Sequence, residues 1–390
     1  MHESRRIVTN QPENSETPLD QLRSWVTPNR LFFVRDHFDV PPIDVTDWQL
    51  RVEGCVERPA TITWDELTSM PVRSVFATGE CAGNGRSFLQ PSVHGVQWGA
   101  GAIGHAEWTG VPLKLVLERA GVQTDAVEVV CYGADQGTES DHPEPMNFAR
   151  GLPLPKALHP DTLLAYRMNG ELLDANHGYP LRLLVPGWYG VASVKWLTRI
   201  EAVATPFEGY FQTRKYTYQR SVGDRTESAV VGPMVVKSEI IRPRAGDVLG
   251  IGTNRVFGVA WAGENAVSAV EISVDGGSTW NDAQLLGPRS RYSWCLWEYL
   301  WDVAQPGEHS ILVRAVDSTG AVQPEEHDRL RGGYMINFIR TTSVCVKSSR
   351  ETRDQPDDAE ALLYDMNAFA EDISRMKLDV EVEFTAGAGI

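Results

Sequence analysis

The chain has 390 residues and a net charge of −16, with 42% apolar and 23% charged side chains and no uncharged apolar run long enough to span a bilayer. Such a length exceeds what one hydrophobic core usually organises, so two domains are expected. The acidic balance excludes a binder of nucleic-acid backbone, whose affinity rests on Lys and Arg displacing counterions, and an anionic substrate must therefore find a local positive pocket.

Residues 1–28 read as a polar leader. Ser4-Arg5-Arg6 has the look of a twin-arginine export signal, but Thr9-Asn10-Gln11-Pro12-Glu13 stands where the apolar stretch would follow. A cytoplasmic location is expected, or a periplasmic one if an export segment has been removed. Residues 29–230 read as a first domain of short strands joined by long loops. Trp48 to Val52 has the two-residue period of a half-buried strand. Thr63 or Asp65 caps a short helix, and Leu113, Val116 and Leu117 share one helical face before the stop at Gly121. Buried strands are expected at 180–185 and 194–203, around the turn Pro186-Gly187.

Residues 233–348 change texture, with short strands at 256–261, 269–273, 280–285 and 310–316 separated by turns such as Asp275-Gly276-Gly277. That spacing, without intervening helices, is the pattern of an immunoglobulin-like β-sandwich. Residues 351–390 form an acidic tail, with 11 acidic against 3 basic residues, in which Leu362, Leu363, Met366, Phe369 and Ile373 fall at the spacing of an amphipathic helix. The fold class expected is α+β. Five scattered cysteines, with no C-x-x-C pair and no haem-attachment C-x-x-C-H, indicate neither a disulfide framework nor a zinc knuckle.

The most informative string is Cys81-Ala82-Gly83-Asn84-Gly85-Arg86, a thiol followed by small residues that let backbone pass close to something bulky. An isolated cysteine is more often a core thiol than a ligand. Here the hexapeptide resembles the C-A-G-N-x-R loop of the sulfite oxidase family of molybdenum enzymes, whose cysteine ligates the metal of the molybdopterin cofactor. Other segments resemble the family in order: Phe33-Val34-Arg35-Asp36-His37, then His177-Gly178-Tyr179-Pro180-Leu181-Arg182, Pro186-Gly187 and Val194-Lys195-Trp196-Leu197. The resemblance covers about residues 30–220. It implies a sulfite-oxidase-type molybdopterin domain followed by an immunoglobulin-like dimerisation domain, and hence a homodimer.

By that resemblance Cys81 is the metal ligand, while Phe33, Arg35, His37, Asp135, His177, Arg182 and Lys195 join Cys81 in binding the cofactor. Two histidines, an arginine and a lysine converging on one phosphate-bearing group is what phosphate recognition requires. Asp135 could equally be an ordinary turn aspartate. Trp98 and Trp108 could both be core, and only Trp98 is assigned to the pocket wall. Tyr216 corresponds to a tyrosine hydrogen-bonded near the metal, and His94 stands where the family has a lysine. Arg35 and Arg86 offer a sulfur oxyanion two permanently charged forks.

One departure is visible: Gly332 occupies the place of a third arginine, so either Arg331 or Arg340 substitutes or the pocket is less cationic and takes another sulfur oxyanion or a neutral sulfur compound. The reaction implied is oxidation of sulfite to sulfate by oxygen-atom transfer, with no haem in the chain and electrons leaving to an external acceptor, a cytochrome or dioxygen. A molybdenum reductase of S-oxides, oxidation of another inorganic sulfur compound, and a non-catalytic scaffold are the rival readings. Arg35 and Arg86 disfavour the reductase.

Overall fold

The computed structural model describes residues 4–22 and 24–348, whose contacts divide into two compact units. One unit holds residues 4–17, 28–234 and 328–336, and the other holds 18–22, 24–27, 235–327 and 337–348.

The first unit opens with a polar hairpin. β1 (Arg6–Asn10) pairs with β2 (Glu13–Glu16), which pairs in turn with β3 (Val34–Arg35). Within the expected polar leader, residues 6–10 and 13–16 are instead strands, and 18–22 and 24–27 belong to the other unit. Its polar composition hid it, because its buried side chains include the hydrogen-bonded Asn14, Ser15 and Thr17 instead of an alternating apolar set.

β4 (Gln49–Gly54) alternates buried Leu50 and Val52 with outward residues and pairs with β5 (Ala60–Thr63). α1 (Trp64–Thr68) starts at a reciprocal cap, the Thr63 hydroxyl accepting from the Glu66 amide while the Glu66 carboxylate accepts from the Thr63 amide. β6 (Arg73–Glu80) pairs with β7 (Ile103–Pro112), which runs into α2 (Leu113–Ala120). α2 buries Leu113, Val116, Leu117 and Ala120, each large side chain contributing roughly 1.5–3 kcal/mol, and stops at Gly121, whose φ of 70° only glycine adopts readily. Leu117→Asp would destroy that face.

β8 (Glu128–Glu139) and β9 (His142–Pro153) form a long antiparallel ribbon. β10 (Leu163–Met168) joins β7, with β11 (Glu171–Leu172) and β12 (Arg182–Leu184) beside it. β13 (Leu197–Val203) lies between β4 and β8, parallel to the former. The strand expected from 194 begins only at Leu197, because Trp196 adopts φ 50°.

The second unit has a four-stranded sheet, in the order 237–242, 252–261, 295–303 and 284–286, and a five-stranded one, in the order 248–250, 342–347, 307–317, 267–273 and 281–282. Their shared core includes Val256, Ala260, Trp297 and Trp301 from the first, and Ile272, Ile311, Val313 and Val344 from the second. The strand expected over 280–285 is two short ones, Asn281–Asp282 and Gln284–Leu286, each in a different sheet. Residues 18–27 are fastened by a reciprocal pair, Trp25 Nε1 donating to the Trp294 carbonyl at 3.1 Å and Trp294 Nε1 to the Trp25 carbonyl at 2.9 Å. The amphipathic helix expected within 351–390 lies outside the described residues.

Candidate active site

In the first unit, two cavities meet at one thiol. Cys81 directly follows β6, its loop held by Cys81 N–H donating to the Ala102 carbonyl at 2.9 Å and Asn84 N–H to the Cys81 carbonyl at 2.9 Å. The side chain packs with Trp98 and Ala102. Cys81, Arg35, His37 and Tyr216 line both cavities. Burial pushes the thiol up, and the cations Arg35 and Arg86 oppose that shift.

The first cavity is a slot that also takes in Phe33, Asp135, His177, Arg182 and Lys195, so every side chain assigned to the cofactor lines one space. The short turn 175–177 positions His177, whose Nδ1 lies 2.9 Å from both carboxylate oxygens of Asp174. Arg182 donates from Nη1 to the His177 carbonyl (2.9 Å) and from Nη2 to the Ser193 carbonyl (3.2 Å), over the Trp108 ring at 4.9 Å. Burial lowers its pKa to about 10. Lys195 pairs with Asp36 and donates to the Asn176 carbonyl at 2.8 Å. His37 stacks on Phe148 at 4.5 Å, and burial followed by the charge of Arg35 holds it well below the usual histidine range, so the ring is neutral. Its Nε2 lies 2.6 Å from the Tyr216 hydroxyl, whose own ionisation burial pushes up to about 12.

Residues that line these cavities carry buried polar atoms with no partner among the described residues: Asp135 Oδ1, Arg182 Nε and Trp188 Nε1 at the slot, and Trp98 Nε1 at the second cavity. A buried polar atom without a partner costs roughly 1–3 kcal/mol, so a ligand that pairs with this set would recover that cost. One carboxylate acceptor, several donors and a lysine fit a group that carries both an anion and ring N–H groups, as a pterin phosphate does. Burial raises Asp135 to about 7.

The second cavity has a volume of about 480 Å³ and is lined by Thr9, Arg86, His94, Trp98, Lys215 and Tyr334 among others. Arg86 is 6% exposed and heavily engaged. Its Nε and Nη2 donate to the Gly333 carbonyl at 3.0 and 2.8 Å, and Nη1 donates to the Val96 carbonyl at 2.8 Å. A Cβ at Gly83 would lie 2.3 Å, and one at Gly95 2.8 Å, from guanidinium nitrogens. Three of its five N–H groups thus tie the Cys81 loop to residues 96 and 333, and two are left for a ligand. His94 is exposed at the cavity wall.

Neither candidate for the third arginine reaches this space. Arg331 donates to the Met335 carbonyl at 3.2 Å and lines neither cavity, and Arg340, in the other unit, pairs with the buried Glu239. Instead Tyr334 lines the cavity, with its ring centroid 5.4 Å from the Arg86 guanidinium and 5.0 Å from the Tyr216 ring. Gly332 adopts φ 57° in the turn before it.

Residues 37–211 match the family described as oxidoreductase molybdopterin binding domain, and residues 228–344 match the Mo-co oxidoreductase dimerisation domain. The chain is 36% identical over 345 residues to sulfite oxidase of Gallus gallus, covering 83% of this chain and 74% of that one. It belongs to the sulfite oxidase family of molybdopterin oxidoreductases. Sulfite oxidase of Arabidopsis thaliana is 33% identical over 372 residues, with 87% and 93% covered. The mitochondrial sulfite oxidase of Mus musculus is 35% identical over 342 residues, and this chain spans 62% of its length. Among solved structures, the sulfane dehydrogenase SoxCD from Paracoccus pantotrophus superposes with a TM-score of 0.75 at 30% identity, with 87% of each chain covered. The two family models thus fall on the two units, and the slot lies in the one that carries Cys81.

Sequence reasoning missed four contributors. Trp108 was assigned to neither site, yet it lines the slot beneath Arg182. Trp188, within the recognised run after Pro186-Gly187, supplies an unpartnered Nε1. Tyr334 and Asn14 carried no local signal, because what gives them importance is contact with residues far away in the chain.

Proposed function

We propose that this protein oxidises sulfite to sulfate with a molybdenum cofactor and passes the electrons to a separate acceptor, a cytochrome or dioxygen. The observation that carries this reading is the Cys81 thiol at the junction of a donor-rich slot and a roomy cavity, with Arg35 and Tyr216 beside it. The molybdenum supplies oxygen-atom transfer and takes up two electrons when bound; net, sulfite and water yield sulfate, two protons and two electrons. Cys81 would ligate the metal as a soft thiolate, and His177, Arg182 and Lys195 would hold the pterin phosphate. Asp135 would accept from ring N–H groups. Arg35 contributes a fixed charge at the cavity, Trp98 lines its wall, and neutral His37 holds the Tyr216 hydroxyl in place. The match of the second unit to a dimerisation domain supports a homodimer.

One observation favours a second reading, oxidation of another inorganic sulfur compound. With Gly332 and Tyr334 in this stretch, the cavity has two arginines, Arg35 and Arg86, and Lys215 beside Glu139 instead of three arginines, and the neighbour SoxCD is named a sulfane dehydrogenase. Steady-state rates with sulfite, thiosulfate and methionine sulfoxide, using an artificial electron acceptor or donor, separate the readings. Preferred oxidation of sulfite supports the first, preferred oxidation of thiosulfate the second, and reduction of the sulfoxide alone would overturn both.

A further inference from the structure

The polar hairpin at the start of the chain is wired into the substrate cavity. Thr9, on β1, lines that cavity, and Val8 beside it packs on the Cys81, Trp98 and Ala102 cluster. Both neighbours face inward because the strand register shifts between Ile7 and Thr9, a bulge of the kind that re-aims side chains. Opposite Thr9 in the ladder stands Asn14, which is 2% exposed. Its Nδ2 donates to the Thr9 hydroxyl at 2.7 Å and to the Pro12 carbonyl at 3.1 Å. Its Oδ1 accepts from Arg35 Nη1 and from the Asp36 amide, both at 3.3 Å.

This network admits one orientation of the amide. The Pro12 carbonyl can only accept, so the nitrogen must face it and the oxygen must face Arg35. The Thr9 hydroxyl gives its own proton to the Pro12 carbonyl at 2.9 Å and therefore presents a lone pair to Asn14, which reinforces the same choice. Arg35 Nη1 also donates to the carbonyl of the next residue, Asp36, and its side chain hydrogen-bonds Tyr216. The hairpin thus supplies one of the side-chain contacts that direct the guanidinium, Tyr216 supplying another, and it does so from residues that precede the segment matched to the molybdopterin-binding family.

We propose that the β1–β2 hairpin is a positioning element of the active site, in which Thr9 and Asn14 aim the Arg35 guanidinium at a sulfur oxyanion in the cavity. This rests on the reading of that cavity as the sulfite site. Asn14→Asp sets a carboxylate against the Pro12 carbonyl and beside Arg35, so it both breaks the orientation and offsets the charge. Thr9→Val removes only the hydroxyl at nearly constant volume, and Thr9→Ser restores it.

The test uses holoenzyme with three readouts: sulfite KM and kcat, sulfate Kd by calorimetry, and molybdenum content. Asn14→Asp should raise the sulfite KM and the sulfate Kd together by about tenfold or more, as loss of a charge-assisted contact does, with kcat within about threefold and molybdenum unchanged. Thr9→Val should move both constants the same way by a smaller factor, and Thr9→Ser should behave as wild type. Wild-type KM and Kd in both Thr9→Val and Asn14→Asp would overturn the proposal, as would loss of molybdenum with sulfate binding intact. Should Asn14→Asp fail to fold, the contrast between Thr9→Val and Thr9→Ser decides alone. Wild-type protein that neither binds sulfate nor turns over sulfite would overturn the oxyanion reading itself and this inference with it, a result distinct from variants that merely match an active wild type.

Discussion

Replacing Arg86 by lysine keeps a positive charge in the second cavity but removes the fork that spans two carbonyls. A lysine ammonium on its single stem can reach the Gly333 or the Val96 carbonyl but not both, whereas Arg86 holds Gly333 with Nε and Nη2 and Val96 with Nη1. A hydrogen bond to a charged donor contributes roughly 1.5–3 kcal/mol, and the abandoned acceptor adds part of its desolvation cost, so the loss should be about 3 kcal/mol. For a unit of about 230 residues, each kcal/mol moves the midpoint by roughly 2–4 °C, giving a fall in Tm of about 6–12 °C. Thermal unfolding followed by near-ultraviolet circular dichroism, with sulfite KM measured on the same preparation at 25 °C, reads both consequences. Gly83→Ala should reproduce the loss, because its Cβ would fall 2.3 Å from Arg86 Nη2. A Tm within about 2 °C of wild type together with a KM raised tenfold or more would refute the anchoring role and make Arg86 chiefly a substrate grip.

Other outcomes follow from the same geometry. Cys81→Ser should abolish turnover while pterin content, measured as released fluorescent pterin, stays near wild type, because a hydroxyl cannot act as a soft thiolate ligand and the remaining slot residues are untouched; near-normal turnover would remove Cys81 as the ligand. Arg182→Ala should lose the pterin itself, since it deletes a buried cation whose Nε awaits a partner, and full pterin content in the purified variant would contradict its place in the slot. Asp135 carries a pH signature in cofactor-free protein: burial raises its pKa to about 7, against about 4 unfolded, so its contribution is fully present below pH 4 and is lost as pH rises through 7. The cost at pH 8 is at most about 4 kcal/mol, and Asp135→Asn should flatten the pH dependence of urea unfolding; an unchanged slope would show that the carboxyl titrates normally.

The parts of the site that were legible in the sequence are those carried by short local strings. The Cys81 loop, the segment from Phe33 to His37, and the runs around His177 and Lys195 each fix their side chains relative to a nearby turn, so a string of residues was enough to gather them into one slot. The caps of the two helices were legible for the same reason, because Thr63 and Gly121 act within a few residues of their own position. What was not legible depended on distance along the chain. The anchoring of Arg86 was hidden because its acceptor, Gly333, lies 247 residues away. Tyr334 gained its place only when residues 328–336 joined the first unit, far from 4–17 and 28–234 in sequence. The hairpin of residues 6–16 read as a leader because strand pairing by buried polar side chains leaves no hydrophobic period to find.

The central claim is that Cys81 marks the centre at which a sulfur oxyanion is oxidised. Anaerobic single turnover measures this most directly: protein holding a known amount of molybdenum is mixed with excess sulfite without any electron acceptor, and sulfate is counted. The account predicts about one sulfate per molybdenum in the wild type and none in pterin-replete Cys81→Ser. Molybdenum-loaded wild type that forms no sulfate, or a Cys81→Ser variant that forms a full equivalent, would contradict it.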